Sequence, residues 1–194
     1  MTQFTFEPLH PDFGARVSGV DLTGPLSSDD VEKIRDAIDT YSLLCFPNQS
    51  MTDEHHMAFT RLLGEPEAEH VKFGKTGVVD YFGTVGNVLD DGTKQDNANT
   101  GTKYQKGNQL WHSDSSFREV PSRESILHAY EVPEGEGDTE FVSMRSAYAR
   151  LPEEMAEHID PLGVVHDYVF SRARIAPDDP NHAANMPPVN HRLV

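Results

Sequence analysis

Apolar residues recur at near-helical spacing at Val31, Ile34, Ile38 and Tyr41, which predicts a helix with one buried face. Ser27-Ser28-Asp29-Asp30 stands in front of it. A small hydroxyl with an acid three residues on satisfies the free N–H groups of a first turn. A second helix follows the same logic: Thr52-Asp53-Glu54 caps it, Met57, Phe59, Leu62 and Leu63 form its apolar face, and Gly64 closes it. His55 and His56 fall in its first turn and read as solvent-exposed. Ahead of both helices, Phe4-Thr5-Phe6 and residues 15–20 alternate or cluster like short strands around the turn-rich His10-Pro11-Asp12-Phe13-Gly14. Leu43-Leu44-Cys45-Phe46 reads as a buried strand ended by Pro47.

The pattern changes in the second half. Residues 78–88 are apolar and punctuated by glycine, so strand-like, whereas residues 90–107 are polar and predict a long loop. Loops of that length in a compact domain are often lids or binding loops, and this one runs directly toward His112. Strands are predicted over 125–132 and 138–142 around a turn at 133–137, helical turns over 146–151 and 152–159, and a strand over 164–170. Residues 175–188 are rich in Pro, Asn and Asp and read as irregular. Helices first and short strands afterwards suggest an α+β fold with a β-sandwich or jelly-roll core and flanking helices. A jelly roll takes about eight strands, and too few follow His112 to close one. The chain reaches His191-Arg192-Leu193-Val194 just as another strand begins, so the core is expected to be incomplete at the C-terminus.

Composition narrows the class. A length of 194 residues suits one domain with a real core, spanning 1–194. The formal charge of −16, from 32 acids against 16 bases, argues against a nucleic-acid partner, which needs a basic face. It also repels small anions at long range, so an anionic ligand needs a local metal ion or arginine. No apolar run approaches membrane-spanning length, and the N-terminus has no basic region followed by an apolar block. The expectation is a soluble cytoplasmic protein without a membrane partner, with a homo-oligomer left open. The single cysteine, Cys45, excludes a disulfide framework within the chain and reads as a buried structural thiol.

The candidate chemistry lies in Gly107-Asn108-Gln109-Leu110-Trp111-His112-Ser113-Asp114-Ser115-Ser116-Phe117. In extended backbone, residues i and i+2 point to the same face, so His112 and Asp114 can aim a nitrogen and an oxygen at one point. Imidazole with carboxylate suits Fe(II), and two His plus one carboxylate form the facial triad of non-haem iron oxygenases. The His-x-Asp spacing is weak alone, because it also occurs at His10/Asp12 and His158/Asp160. The first of these has Pro11 between its members and falls in a turn. The second follows a helical pattern, and helical residues i and i+2 lie about 200° apart. Context selects the middle pair; the alternative for it is an ordinary surface or hydrogen-bonded pair.

Several ordered motifs carry a resemblance. The segment 107–117 is similar to the iron-binding segment of the taurine/2,4-dichlorophenoxyacetate dioxygenase family. Gly14-Ala15-Arg16-Val17-Ser18-Gly19-Val20-Asp21-Leu22 with Pro25-Leu26, Gly64-Glu65, and Gly137-Asp138-Thr139-Glu140-Phe141 resemble further family motifs. So does Met186-Pro187-Pro188-Val189-Asn190, which is closest to the aryloxyacetate branch. The resemblance implies a double-stranded β-helix (jelly-roll) core, with Fe(II), the cosubstrate 2-oxoglutarate and O2. It implies His112 and Asp114 as iron ligands and Thr139 as the residue bonding 2-oxoglutarate. Asn108, Phe117 and Tyr168 match positions near the substrate; ordinary core packing is the alternative for Phe117 and Tyr168. The histidine that holds a taurine sulfonate should fall around Glu69 or His70, where the pattern departs.

The implied activity is oxidation of a small organic acid, most simply an aryloxyacetate such as 2,4-dichlorophenoxyacetate, coupled to decarboxylation of 2-oxoglutarate to succinate and CO2. Hydroxylation beside the ether oxygen would give a hemiacetal that collapses to a phenol and glyoxylate. Lys103, Arg172 and Arg174 are the bases available for a substrate carboxylate, or else surface charges. The family's distal histidine and 2-oxoglutarate-binding arginine have no counterpart here, and His191 sits in a different motif, so a fragment or truncated product is expected. The alternatives are a taurine, sulfonate or sulfate dioxygenase, and a non-catalytic fragment lacking the third iron ligand.

Overall fold

Ser27 begins the helix the pattern predicts. Its hydroxyl accepts from the Asp30 amide while the Asp30 carboxylate takes the Ser27 N–H, a closed capping box at the head of α1 (Ser28–Tyr41). Thr52 and His55 close a similar box on α2 (Asp53–Leu63). The Arg35 guanidinium donates to the carbonyls of Leu62 and Leu63 at 3.1 and 3.0 Å, satisfying acceptors that the end of α2 leaves free. These elements belong to a computed structural model describing residues 4–67, 85–86, 93, 109–132, 134–135, 137–174 and 187–194. The expected strand at 78–88 and loop at 90–107 lie almost wholly outside the described residues.

The chain divides into two compact units, Met1–Pro66 with Ile126–Ala156, and Glu67–Ser125 with Glu157–Val194. In the first unit, β1 (Thr5–Pro8) pairs antiparallel with β2 (Ala15–Ser18), from Thr5 opposite Ser18 to Pro8 opposite Ala15. Strand β2 pairs parallel with the two-residue β3 (Leu44–Cys45). Gly14, at φ +85°, supplies the left-handed turn into β2. Alternation along β2 buries Ala15 and Val17 and exposes Arg16 and Ser18. The core gathers Leu22, Ile34 and Phe59, with Leu26, Phe46 and Ile126 packed against it. Gln49 ties the loops together, accepting from the Leu22 amide at 2.8 Å and donating to the Val20 carbonyl at 3.2 Å.

Two burial expectations are overturned in this unit. Cys45 is exposed, because strand alternation sends it to the face opposite half-buried Leu44. His56 is only 7% exposed, because helical geometry puts it on the same face as Phe59, three residues on. The strands expected over 125–132 and 138–142 are absent: among the described residues neither segment takes part in a hydrogen-bonded ladder. The helix expected from residue 146 starts earlier, as α3 (Met144–Ala149), because the Ser143 hydroxyl accepts from the Ser146 amide at 3.1 Å. It is followed by α4 (Glu153–Ile159).

In the second unit, β4 (Gly163–His166) pairs antiparallel with β5 (Val189–Arg192). The expected strand over 164–170 is therefore only half present. Asp167 ends it: its carboxylate accepts from the Phe170 amide at 2.9 Å and its carbonyl from the Ser171 amide at 3.1 Å. Those bonds start α5 (Tyr168–Ala173). Two small sheets and five helices among the described residues make an α+β structure. None of those helices is long and apolar enough to cross a membrane.

Candidate metal centre

His112 sits in backbone that belongs to neither helix nor strand, and a turn over residues 114–117 follows it. The strand expected around the pair is therefore absent, yet the two side chains still meet. Ser115 adopts φ +54°, bending the chain immediately after Asp114. The turn is held by the Arg118 amide donating to the Ser115 carbonyl at 3.0 Å and by the Ser115 hydroxyl on the Glu67 carboxylate at 2.7 Å. Arg118 forms an ion pair with the same Glu67.

Within this frame, His112 Nδ1 lies 2.7 Å from the Leu110 carbonyl. A carbonyl only accepts, so Nδ1 carries the proton and, in the neutral ring, Nε2 presents a bare lone pair. The Asp114 carboxylate is oriented from the other side: the Ser125 hydroxyl donates to Oδ2 at 2.7 Å. The remaining atoms, His112 Nε2 and Asp114 Oδ1, face each other at 3.3 Å. Two lone pairs at that distance repel unless a proton or a metal ion lies between them. Two donors about 2.1 Å from one first-row ion, at right angles, would stand about 3 Å apart. The donor set therefore fits a divalent metal, with its outer atoms tied as ligating histidines and carboxylates commonly are. Both side chains are about half exposed, at 46% and 56%, so an ion has open access. Among the described residues no group of three His, Cys, Asp or Glu side chains is arranged to hold a metal.

In the two other His-x-Asp pairs the carboxylate is engaged by an arginine. Asp12 is held by the Arg150 guanidinium, whose hydrogen bond lowers the carboxyl pKa from its ordinary value. Its own amide donates to His10 Nδ1 at 3.2 Å. His158 lies in the last turn of α4, and Asp160 pairs with Arg192 at 3.1 Å. His191 Nε2 is bonded to the Arg118 carbonyl at 2.8 Å.

Residues 5–194 match the family described as taurine catabolism dioxygenase TauD, TfdA family. The chain belongs to this family. It is 36% identical over 192 residues to the alpha-ketoglutarate-dependent 2,4-dichlorophenoxyacetate dioxygenase of Cupriavidus pinatubonensis, covering 96% of this chain and 67% of that protein. It is 32% identical over 193 residues to the enzyme of the same name from a Burkholderia species, covering 97% of this chain and 65% of that one. The crystal structure of AAD-2 in complex with Mn(II) and N-oxalylglycine superimposes with a TM-score of 0.85 at 32% identity, over 98% of this chain and 67% of that one. The chain thus spans about two thirds of the length of these relatives.

Against this TauD/TfdA background the other expected site residues divide. Phe117 and Tyr168, both half-buried, are brought together with ring centroids 4.6 Å apart and planes tilted by 54°. Tyr168 opens α5 rather than lying on a strand. Thr139 is exposed in an irregular stretch of the first unit, whereas the His112/Asp114 pair is in the second. Asn108, Lys103, Glu69 and His70 lie outside the described residues, as does the Arg172 side chain. The Arg174 guanidinium stacks over the Phe170 ring at 5.7 Å, a neighbour that already accounts for its placement. Two features escaped the sequence reading. The Leu110 carbonyl is backbone and leaves no residue signal. Ser125 read as the first residue of a strand, and nothing local marks its hydroxyl as a partner for a carboxylate 11 residues earlier.

Proposed function

We propose that this protein is an Fe(II)- and 2-oxoglutarate-dependent dioxygenase that hydroxylates a small organic acid of the aryloxyacetate type. The observation that carries the reading is the His112/Asp114 pair, whose outer atoms are tied and whose inner lone pairs converge at 3.3 Å. The dichlorophenoxyacetate-oxidising relatives supply the substrate class. The same reading makes the chain one dioxygenase-like domain on a double-stranded β-helix core, which the match to AAD-2 supports.

His112 Nε2 and Asp114 Oδ1 would hold the iron, and the Leu110 carbonyl fixes the imidazole tautomer that leaves Nε2 free to ligate. The iron, once bound with 2-oxoglutarate and O2, supplies the oxidising power for C–H hydroxylation. Thr139 would hydrogen-bond 2-oxoglutarate through its hydroxyl. Phe117 and Tyr168 offer a packed aromatic surface suited to an aryl ring, and Asn108 a polar contact beside it.

Anaerobic addition of Fe(II) and 2-oxoglutarate is expected to give a visible metal-to-ligand charge-transfer band, and succinate release is expected to be fastest with aryloxyacetates in a panel including taurine and alkyl sulfates. His112→Ala should abolish both. A well-folded protein without the band would favour the non-catalytic alternative. Turnover unchanged in His112→Ala would remove the iron assignment, and preference for a sulfonate or sulfate would move the substrate class.

A further inference from the structure

The Ser125 hydroxyl is the only side-chain group among the described residues with a described hydrogen bond to the candidate metal pair. It donates to Asp114 Oδ2 at 2.7 Å, while Oδ1 faces His112 Nε2. A free carboxylate rotates about its Cβ–Cγ bond and offers either oxygen, or both, to a cation. Holding one oxygen leaves the other as the sole inward donor. We propose that Ser125 is a positioning residue of the metal site, which fixes Asp114 as a one-oxygen ligand through Oδ1. This rests on the reading of His112 and Asp114 as metal ligands and deepens it.

The consequence is chemical as well as geometric. A carboxylate that chelates through both oxygens occupies two coordination positions. One restrained by Ser125 would occupy one, leaving more of a bound ion's positions open to other ligands. The restraint also reduces the torsional freedom lost when the ion binds, which favours binding. Ser125 is itself exposed and its hydroxyl has no described role in the core. Removing the hydroxyl should therefore act on the metal rather than on the fold. Hydrogen-bonding partners of metal ligands typically contribute about 10- to 100-fold in metal affinity. With Asp114 half open to water, the lower end of that range applies.

The test is Mn(II) affinity of the full chain, read by loss of the free-ion electron paramagnetic resonance signal, with thermal unfolding run alongside. Ser125→Ala is expected to weaken Mn(II) binding about tenfold with an unchanged melting temperature. Ser125→Thr, which keeps the hydroxyl, is expected to restore most of the affinity. A purely structural role would move the melting temperature and would not show recovery through the hydroxyl. Equal affinity in Ser125→Ala and the unaltered chain overturns the positioning role while leaving the metal pair intact, provided His112→Ala still abolishes binding. Mn(II) binding that survives His112→Ala, or is absent from the unaltered chain, overturns the metal reading and the role of Ser125 with it.

Discussion

A buried histidine on the apolar face of α2 should make the first unit sensitive to acid. His56 is buried, and burial is the main cause that lowers its pKa from the ordinary value; the neighbouring His128 adds to it, against smaller opposing contributions from the Ile126 backbone and Asp53. The His128 ring lies edge-on at 6.2 Å from His56 and 4.7 Å from Tyr130. The Tyr130 hydroxyl binds Asp53, and that hydrogen bond is the main cause raising the phenol pKa. The unfolded chain takes up a proton on His56 below about pH 6.5, whereas the folded chain resists until a lower pH. Stability is therefore complete above the unfolded value and is lost as pH falls through the folded one, with a limiting slope of about 1.4 kcal/mol per pH unit. Urea unfolding at a series of pH values between 7.5 and 5 should show this loss. His56→Gln, which cannot titrate, should flatten that part of the profile; an unaltered slope would assign the acid sensitivity to other groups.

At the scale of elements, helices were legible where two signals agreed. Ser27 with Asp30, ahead of Val31, Ile34 and Ile38, announced both the start and the buried face of α1. Ser27→Ala should cost about 1 kcal/mol in urea unfolding through the lost cap. Ile34→Ala, at a site with no solvent exposure, should cost about 2–5 kcal/mol. Leu62 was grouped with the apolar face of α2, yet it is 42% exposed, so Leu62→Ala should stay within about 0.5 kcal/mol. A Leu62 effect as large as that of Ile34 would mean the helix face is misread. Strands were less legible, because an apolar run records burial but not a partner. Residues 126–132 have the composition of a strand but stand in no ladder among the described residues, while the apolar run through Phe170 extends past β4, which the Asp167 cap ends. The site shows the same division. His112 and Asp114, the candidate pair, carry side-chain chemistry, and spacing and resemblance single them out. The bonds that orient them come from a backbone carbonyl and a serine distant in sequence, and they became visible only with the fold.

At the scale of the whole molecule, the net charge of −16 opposes the approach of the anionic ligands the proposed chemistry requires. The two effects act over different ranges. Repulsion from the summed surface charge is felt at long distance and governs encounter. Direct coordination and hydrogen bonding act at contact and govern release. Salt separates them, because the Debye length falls from about 30 Å at 0.01 M ionic strength to about 10 Å at 0.1 M. Over that interval the association rate constant of 2-oxoglutarate with the Fe(II)-loaded protein should rise several-fold, while its dissociation rate constant changes little. Anaerobic stopped-flow mixing, followed through the charge-transfer band, measures both. The opposite trend, an association rate falling with salt, would mean that local positive charge around the metal outweighs the acidic surface even at a distance. The acidic composition would then have no part in setting how quickly the cosubstrate arrives.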